Sequence, residues 1–155
     1  MMNEESVFKQ LDIVRAATAG LLESIPESDW DVIPKGFRNN IRWNAGHILT
    51  IQDLFANGLR SMTQNLPGNY LAYFAKDTSP ADWNEQPPSK EELIKFLKDQ
   101  PGWIREVCKG KLDQKLDKPF KGFETIGELL TFSVYHEGLH DGVINTQSKI
   151  VSADK

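Results

Sequence analysis

Apolar residues recur at helical spacing in four stretches of the chain. Val7, Leu11, Val14, Thr18, Leu21 and Ile25 alternate steps of four and three residues, one face of a helix running from about Glu4 to Ser24. Ile25-Pro26 closes that helix, because the residue before a proline is pushed out of helical geometry, and Pro26 to Pro34 reads as a loop. A second helix opens after Asn39-Asn40, either of which can cap it, with the stripe Ile41, Ala45, Ile48, Gln52, Phe55, Leu59 and Met62. Gly46 lies inside it at a cost of about 1 kcal/mol against alanine, which points to close approach of another part of the chain. Ser89-Lys90-Glu91-Glu92 is a capping box that starts a third helix, striped by Leu93, Leu97, Gln100, Ile104 and Val107. Pro101 is expected to kink or split it. Thr125-Ile126-Gly127-Glu128 is a second capping box, opening a last helix with Ile126, Leu129, Ser133, His136, His140, Val143, Gln147 and Ile150 along its seam.

From Ser61 to Pro88 the pattern breaks, yet Tyr70, Tyr73, Phe74 and Trp83 give this segment apolar weight. A bare loop of that length is rare inside a compact domain. The segment is therefore expected to hold a short helix around Tyr70–Phe74 and to cross one end of the molecule, as a lid over a site or as cover for the core. Gly110 to Gly122 reads as a polar connection, and no stretch reads as a strand. The pattern predicts an all-α protein, a four-helix bundle spanning residues 1–155 as a single domain. Its short first connection favours antiparallel neighbours; its long second one is a crossover that permits parallel pairing.

Composition narrows the function classes. The chain has 155 residues, 39% hydrophobic and 26% charged, with net charge -4 and pI about 5.4. No basic stripe is present, which argues against nucleic acid as a partner. No apolar run reaches the roughly 20 residues of a membrane span. The acidic start Met1-Met2-Asn3-Glu4-Glu5 lacks a secretory signature, and the single Cys108 cannot form an internal disulfide, so the expected location is the cytoplasm.

The candidate chemistry lies in the histidines, of which there are three. His136 and His140 stand one helical turn apart on the same face, a spacing at which two imidazoles hold one metal ion. His47 flanks the stripe of the second helix and can face the interior, so the working expectation is that all three converge on one ion. The competing reading makes them core histidines satisfied by hydrogen bonds. Two such rings at neighbouring seam positions each bury polar nitrogens at about 1–3 kcal/mol per unpaired group, and a shared metal would relieve both. His136-Glu137-Gly138-Leu139-His140 also matches the H-E-x-x-H motif of zinc proteases. The tail after His140 supplies no third histidine or glutamate, which sets that reading aside.

The joint arrangement of Trp43-Asn44-Ala45-Gly46-His47-Ile48-Leu49 and His136-x-x-x-His140-x-Gly142 resembles the DinB/YfiT-like superfamily, four-helix-bundle proteins of bacteria. The resemblance covers nearly the whole chain in helix order, long middle connection and placement of the histidines. It implies a divalent metal, often zinc or nickel, held by His47, His136 and His140. In some members such a metal activates a low-molecular-weight thiol such as bacillithiol or mycothiol for transfer or isomerisation; others are described as hydrolases. Leu139, Asp141 and Val143 depart from the frequent late-helix pattern His-His-Arg-Gly-Gln, which leaves the ligands in place and the substrate open.

Three neutral imidazoles leave a divalent ion, whether zinc, nickel, copper or iron, with positions for water or substrate. Such an ion lowers the pKa of a bound water or thiol. Glu137 is the candidate catalytic base or outer partner of the metal, or else a carboxylate turned about 100° away from His136 into solvent. Asn44 and Tyr135 read as packing or helix-surface residues, Cys108 as a small packing residue, and Trp43, Trp83 and Trp103 as core. The expectation is a metal-dependent thiol S-transferase or hydrolase acting on a small-molecule substrate. The alternative is a non-catalytic metal-binding module serving stress response, metal handling or assembly. The apolar face that such bundles leave exposed points to a homodimer.

Overall fold

Helices begin where a polar side chain satisfies the free amides of the first turn. In the computed structural model, which describes residues 1–155, Asn3 caps α1 (Glu4–Ser24) and Asn40 caps α2 (Ile41–Ala56). The short α3 (Tyr70–Phe74) follows in the crossover, and Ser89 then caps α4 (Lys90–Cys108). Thr125 caps α5 (Ile126–Ala153) with both bonds of the capping box in place. No helix is long and apolar enough to cross a membrane.

The expected stripe of the second helix outruns the element itself. α2 stops at Ala56 because Gly58 and Leu59 both turn left-handed, with φ of 62° and 64°, and Leu59 N–H reaches back to the Leu54 carbonyl at 2.8 Å. The connection from Gly110 to Gly122 also differs from expectation. It carries an antiparallel hairpin, β1 (Lys115–Phe120) and β2 (Phe123–Thr125), with Phe120 opposite Phe123. Only Leu116 of β1 is buried, so no two-residue apolar alternation announced the strand. The usable signal was the Lys121-Gly122 pair, which turns the chain with both φ positive.

α1 packs against α4 and α5, and α2 packs against the same two helices. The consecutive helices α1 and α2 are thus antiparallel but face each other across the bundle diagonal, not as neighbours. The linker between them crosses the end of the bundle, burying Ile25 and Trp30 in the core. α2 and α4, joined by the long crossover, run parallel, and so do α1 and α5. The first halves of α2 and α4 share one apolar cluster with the C-terminal ends of α1 and α5, including Leu22, Ile48, Leu93, Leu97 and Ile144. The second cluster gathers the opposite ends, including Val7, Leu11, Phe55, Ile104 and Leu129.

Between these clusters lies a polar layer contributed by all four long helices, at whose centre is Arg15, 3% exposed. Its guanidinium donates to Glu137 at 2.7 and 3.2 Å, to Gln52 Oε1 at 2.6 Å, to Gln100 Oε1 at 3.0 Å and to the Leu97 carbonyl at 2.9 Å. That last bond explains why α4 runs through Pro101 without being split in two. Proline has no N–H to give to the carbonyl four residues back, which is Leu97, and Arg15 supplies the missing donor.

Candidate metal centre

Two turns of α2 and two of α5 face each other beside the polar layer, and the three histidines meet there. Ring centroids are 5.1 Å apart for His47 and His136, 4.8 Å for His47 and His140, and 4.5 Å for His136 and His140. One nitrogen from each ring can be chosen so that all lie within 4.8 Å of one another. His47 is buried, whereas His136 and His140 are half-buried. The seam of α5 follows the stripe read in the sequence through Ile126, Leu129 and Ser133, then passes through Glu137, Ile144 and Val151, one residue on from His136, Val143 and Ile150. The two histidines therefore lie on the flank of the seam, where the centre is reachable from solvent.

Two acceptors fix the imidazole tautomers. His47 Nδ1 lies 2.6 Å from the Phe74 carbonyl, which can only accept, so Nδ1 carries the proton and Nε2 keeps its lone pair. His140 Nδ1 lies 2.7 Å from Asn44 Oδ1. The Asn44 amide is held with its NH2 toward the Asn40 carbonyl at 2.8 Å, leaving its oxygen to accept from His140. His140 Nε2 is thereby also unprotonated. His136 makes no hydrogen bond through its ring. Trp43 stacks on His47 at 4.4 Å and 14°, walling the inner side of the cluster. The donor set suits a divalent ion: three neutral nitrogens, two held by outer partners of the kind that orient metal-ligating histidines.

Burial keeps the rings neutral. It pulls His136 down to about 4, helped by the charges of His47 and Lys121. It pulls His140 down to about 3, helped by His136 and His47. His47 is lowered by burial, partly opposed by its bond to Phe74. In the unfolded chain these rings protonate near 6.5. Between that value and about 4 the unfolded state takes up protons that the folded state refuses. The metal-free protein is expected to lose stability as pH falls through this window, by at most about 1.4 kcal/mol per pH unit for each ring, offset in part by Asp141, whose carboxyl burial raises to about 6. Thermal unfolding of metal-free protein across that range measures it, and a flat profile would contradict it.

Gly46 connects the crossover to this site. A Cβ there would come within 2.5 Å of Phe74 Cε1 and Cγ, so the glycine lets the Phe74 ring lie against α2 and brings its carbonyl onto His47. The crossover covers the core through Tyr70 and Phe74 and also holds one histidine. Gly46→Ala gains up to about 1 kcal/mol of helix propensity but overpacks at about 1–3 kcal/mol, and is expected to destabilise on balance. Urea unfolding tests this; a stabilised variant would mean that Phe74 yields freely.

Glu137, beside His136 in sequence, points neither into the cluster nor to solvent. It is 1% exposed and its oxygens meet Arg15, the Thr18 hydroxyl at 2.7 Å and Gln52 at 3.5 Å. Asp141 turns the same way, its Oδ2 2.8 Å from the Thr18 hydroxyl, and burial is the main cause of its carboxyl rising to about 6. Tyr135 is 63% exposed. Cys108 is buried with its thiol raised to about 11, mainly by burial, an inert packing residue. Sequence reasoning missed the parts played by Asn44 and Arg15. Asn44 stands one turn before His47; Arg15 interrupts the apolar face of α1 between Leu11 and Thr18.

The fold is similar to the crystal structure of a conserved protein from Enterococcus faecalis, with a TM-score of 0.59 at 16% identity over 99% of each chain. No curated protein matches the sequence. The sequence profile of the DinB superfamily matches residues 10–144, a span that contains all three histidines and Asn44. The chain belongs to the DinB superfamily.

Proposed function

We propose that this protein holds a divalent ion, zinc, nickel or iron, through Nε2 of His47 and His140 and a ring nitrogen of His136, and acts there on a small molecule as a thiol S-transferase or a hydrolase. The observation that carries the reading is the pair of outer acceptors, Phe74 and Asn44, which leave unprotonated nitrogens on His47 and His140. When bound, the ion supplies Lewis acidity, enough to acidify a water or thiol near neutral pH. The chain's own part is to keep three imidazoles neutral, to exclude water on the Trp43 side, and to leave His136 and His140 open on the other.

One observation favours the non-catalytic alternative, a metal-binding module. Glu137 is committed to Arg15 and Thr18, so it serves by holding α5 against α1 and not as a base for the reaction. A base would then have to come from the substrate or from solvent. Turnover of a model electrophile with a panel of low-molecular-weight thiols, and of model esters, each with and without added metal, separates the two. Metal-dependent turnover in either series is the expected result; a flat response in both would leave the binding module.

A further inference from the structure

We propose that Lys121 forms an anion subsite beside the three-histidine centre, so that the small molecule taken there carries a carboxylate or another anionic group. This rests on the metal-centre reading above and specifies its substrate class. Lys121 occupies the tip of the β1–β2 hairpin with φ 51°, followed by Gly122 at 89°. Asparagine, aspartate and glycine are the usual residues at such left-handed turn positions, and a lysine there is uncommon. Its ammonium lies 5.7 Å from the centre of the Phe132 ring and 5.8 Å from that of Phe120. Phe132 stands one turn before His136 on α5, and its ring also meets Phe123 at 5.1 Å and Tyr135 at 5.8 Å. Phe132, His136 and His140 follow at four-residue steps on α5, so the cation lies against the side of the helix on which the histidines stand.

No carboxylate pairs with Lys121, although the neighbouring cations Lys115 and Arg60 are paired with Glu124 and Asp117. The acidic residues closest in sequence to the histidines on α5, Glu137 and Asp141, turn away toward Thr18 of α1. In a chain of net charge -4, an unpaired ammonium thus lies against Phe132, one turn from His136 on α5. A divalent ion at the histidines would add to that positive field, and a surface of one sign steers and retains ligands of the other. The apolar stretch of the ligand would lie along Phe132, with its anionic end at Lys121.

The test uses the full chain loaded with cobalt(II) and titrated with 3-mercaptopropionate, 2-mercaptoethanol and cysteamine, compared at equal thiolate concentration by sulfur-to-cobalt absorption. The wild-type protein should bind the anionic thiol about threefold more tightly than the neutral one, the scale of one partly exposed charge pair, with cysteamine weakest. Added salt should shrink the preference. Lys121→Asn keeps a residue suited to the left-handed turn and should retain cobalt while equalising the first two thiols. Lys121→Glu should reverse the order toward cysteamine. Cobalt-loaded wild-type protein without a preference, or Lys121→Asn protein that keeps it, would overturn the subsite while leaving the metal centre standing. Failure of the wild-type protein to take up cobalt would instead overturn the metal reading, and the subsite with it.

Discussion

Arg15→Ala is expected to destabilise the protein by about 3–5 kcal/mol, the cost of leaving a buried charge without its partner. The Glu137 carboxylate would lose two hydrogen bonds at a position 1% exposed. The Leu97 carbonyl, already deprived of an amide by Pro101, would lose the donor Arg15 supplies, and so would the side-chain oxygens of Gln52 and Gln100. Unpaired buried groups of this kind add about 1–3 kcal/mol each where water cannot reach them. Against a typical domain stability of about 5–15 kcal/mol, that is enough to leave much of the population unfolded at modest temperature. Urea unfolding should show it, together with strong coupling in a double-variant cycle. Arg15→Met with Glu137→Leu removes both charges and should cost less than the sum of the single changes. A loss below about 1 kcal/mol for Arg15→Ala would contradict the view that this layer ties the four helices together.

Much of the fold was legible because it follows from local rules. The capping boxes at Ser89 and Thr125 and the apolar periodicity around Leu11, Ile48 and Leu97 start and orient the helices with little help from tertiary context. The features that escaped depend on partners distant in sequence. Pro101 predicts a kinked or split helix, and that α4 is not split follows from Arg15, contributed by α1, which supplies the donor. The diagonal placement of α1 and α2 depends on how the linker around Trp30 crosses the bundle end, which periodicity does not encode. The hairpin was hidden because only one residue of β1 is buried.

The clustering of the histidines was legible in the sequence; what supports them was not. The spacing of His136 and His140, with His47 on another helix, pointed to one centre, and the rings do meet. Their placement on the flank of the seam was not legible, because a stripe of three- and four-residue steps passes through His136 as readily as through Glu137. The acceptors that set the tautomers were hidden for a different reason. One is a backbone carbonyl, at Phe74, and the other is Asn44, whose side chain reads as ordinary polar surface until the Asn40 carbonyl is seen to orient it.

His47→Ala is expected to weaken metal binding by at least about a hundredfold, since loss of an outer partner alone costs about 10–100-fold and this change removes a ligand. It would leave two imidazoles one turn apart on α5, half-exposed and without the ring that closes the cluster from α2. Asn44→Ala should fall between the two proteins, because His140 keeps its place but loses the acceptor that fixes its tautomer. The direct measurement is elemental analysis with a competitive titration of zinc and nickel into metal-free wild-type and His47→Ala proteins near neutral pH, where the imidazoles are neutral. The three-histidine centre predicts one ion bound per wild-type chain and little or none by His47→Ala under the same conditions. Unchanged stoichiometry and affinity in the His47→Ala protein would contradict it.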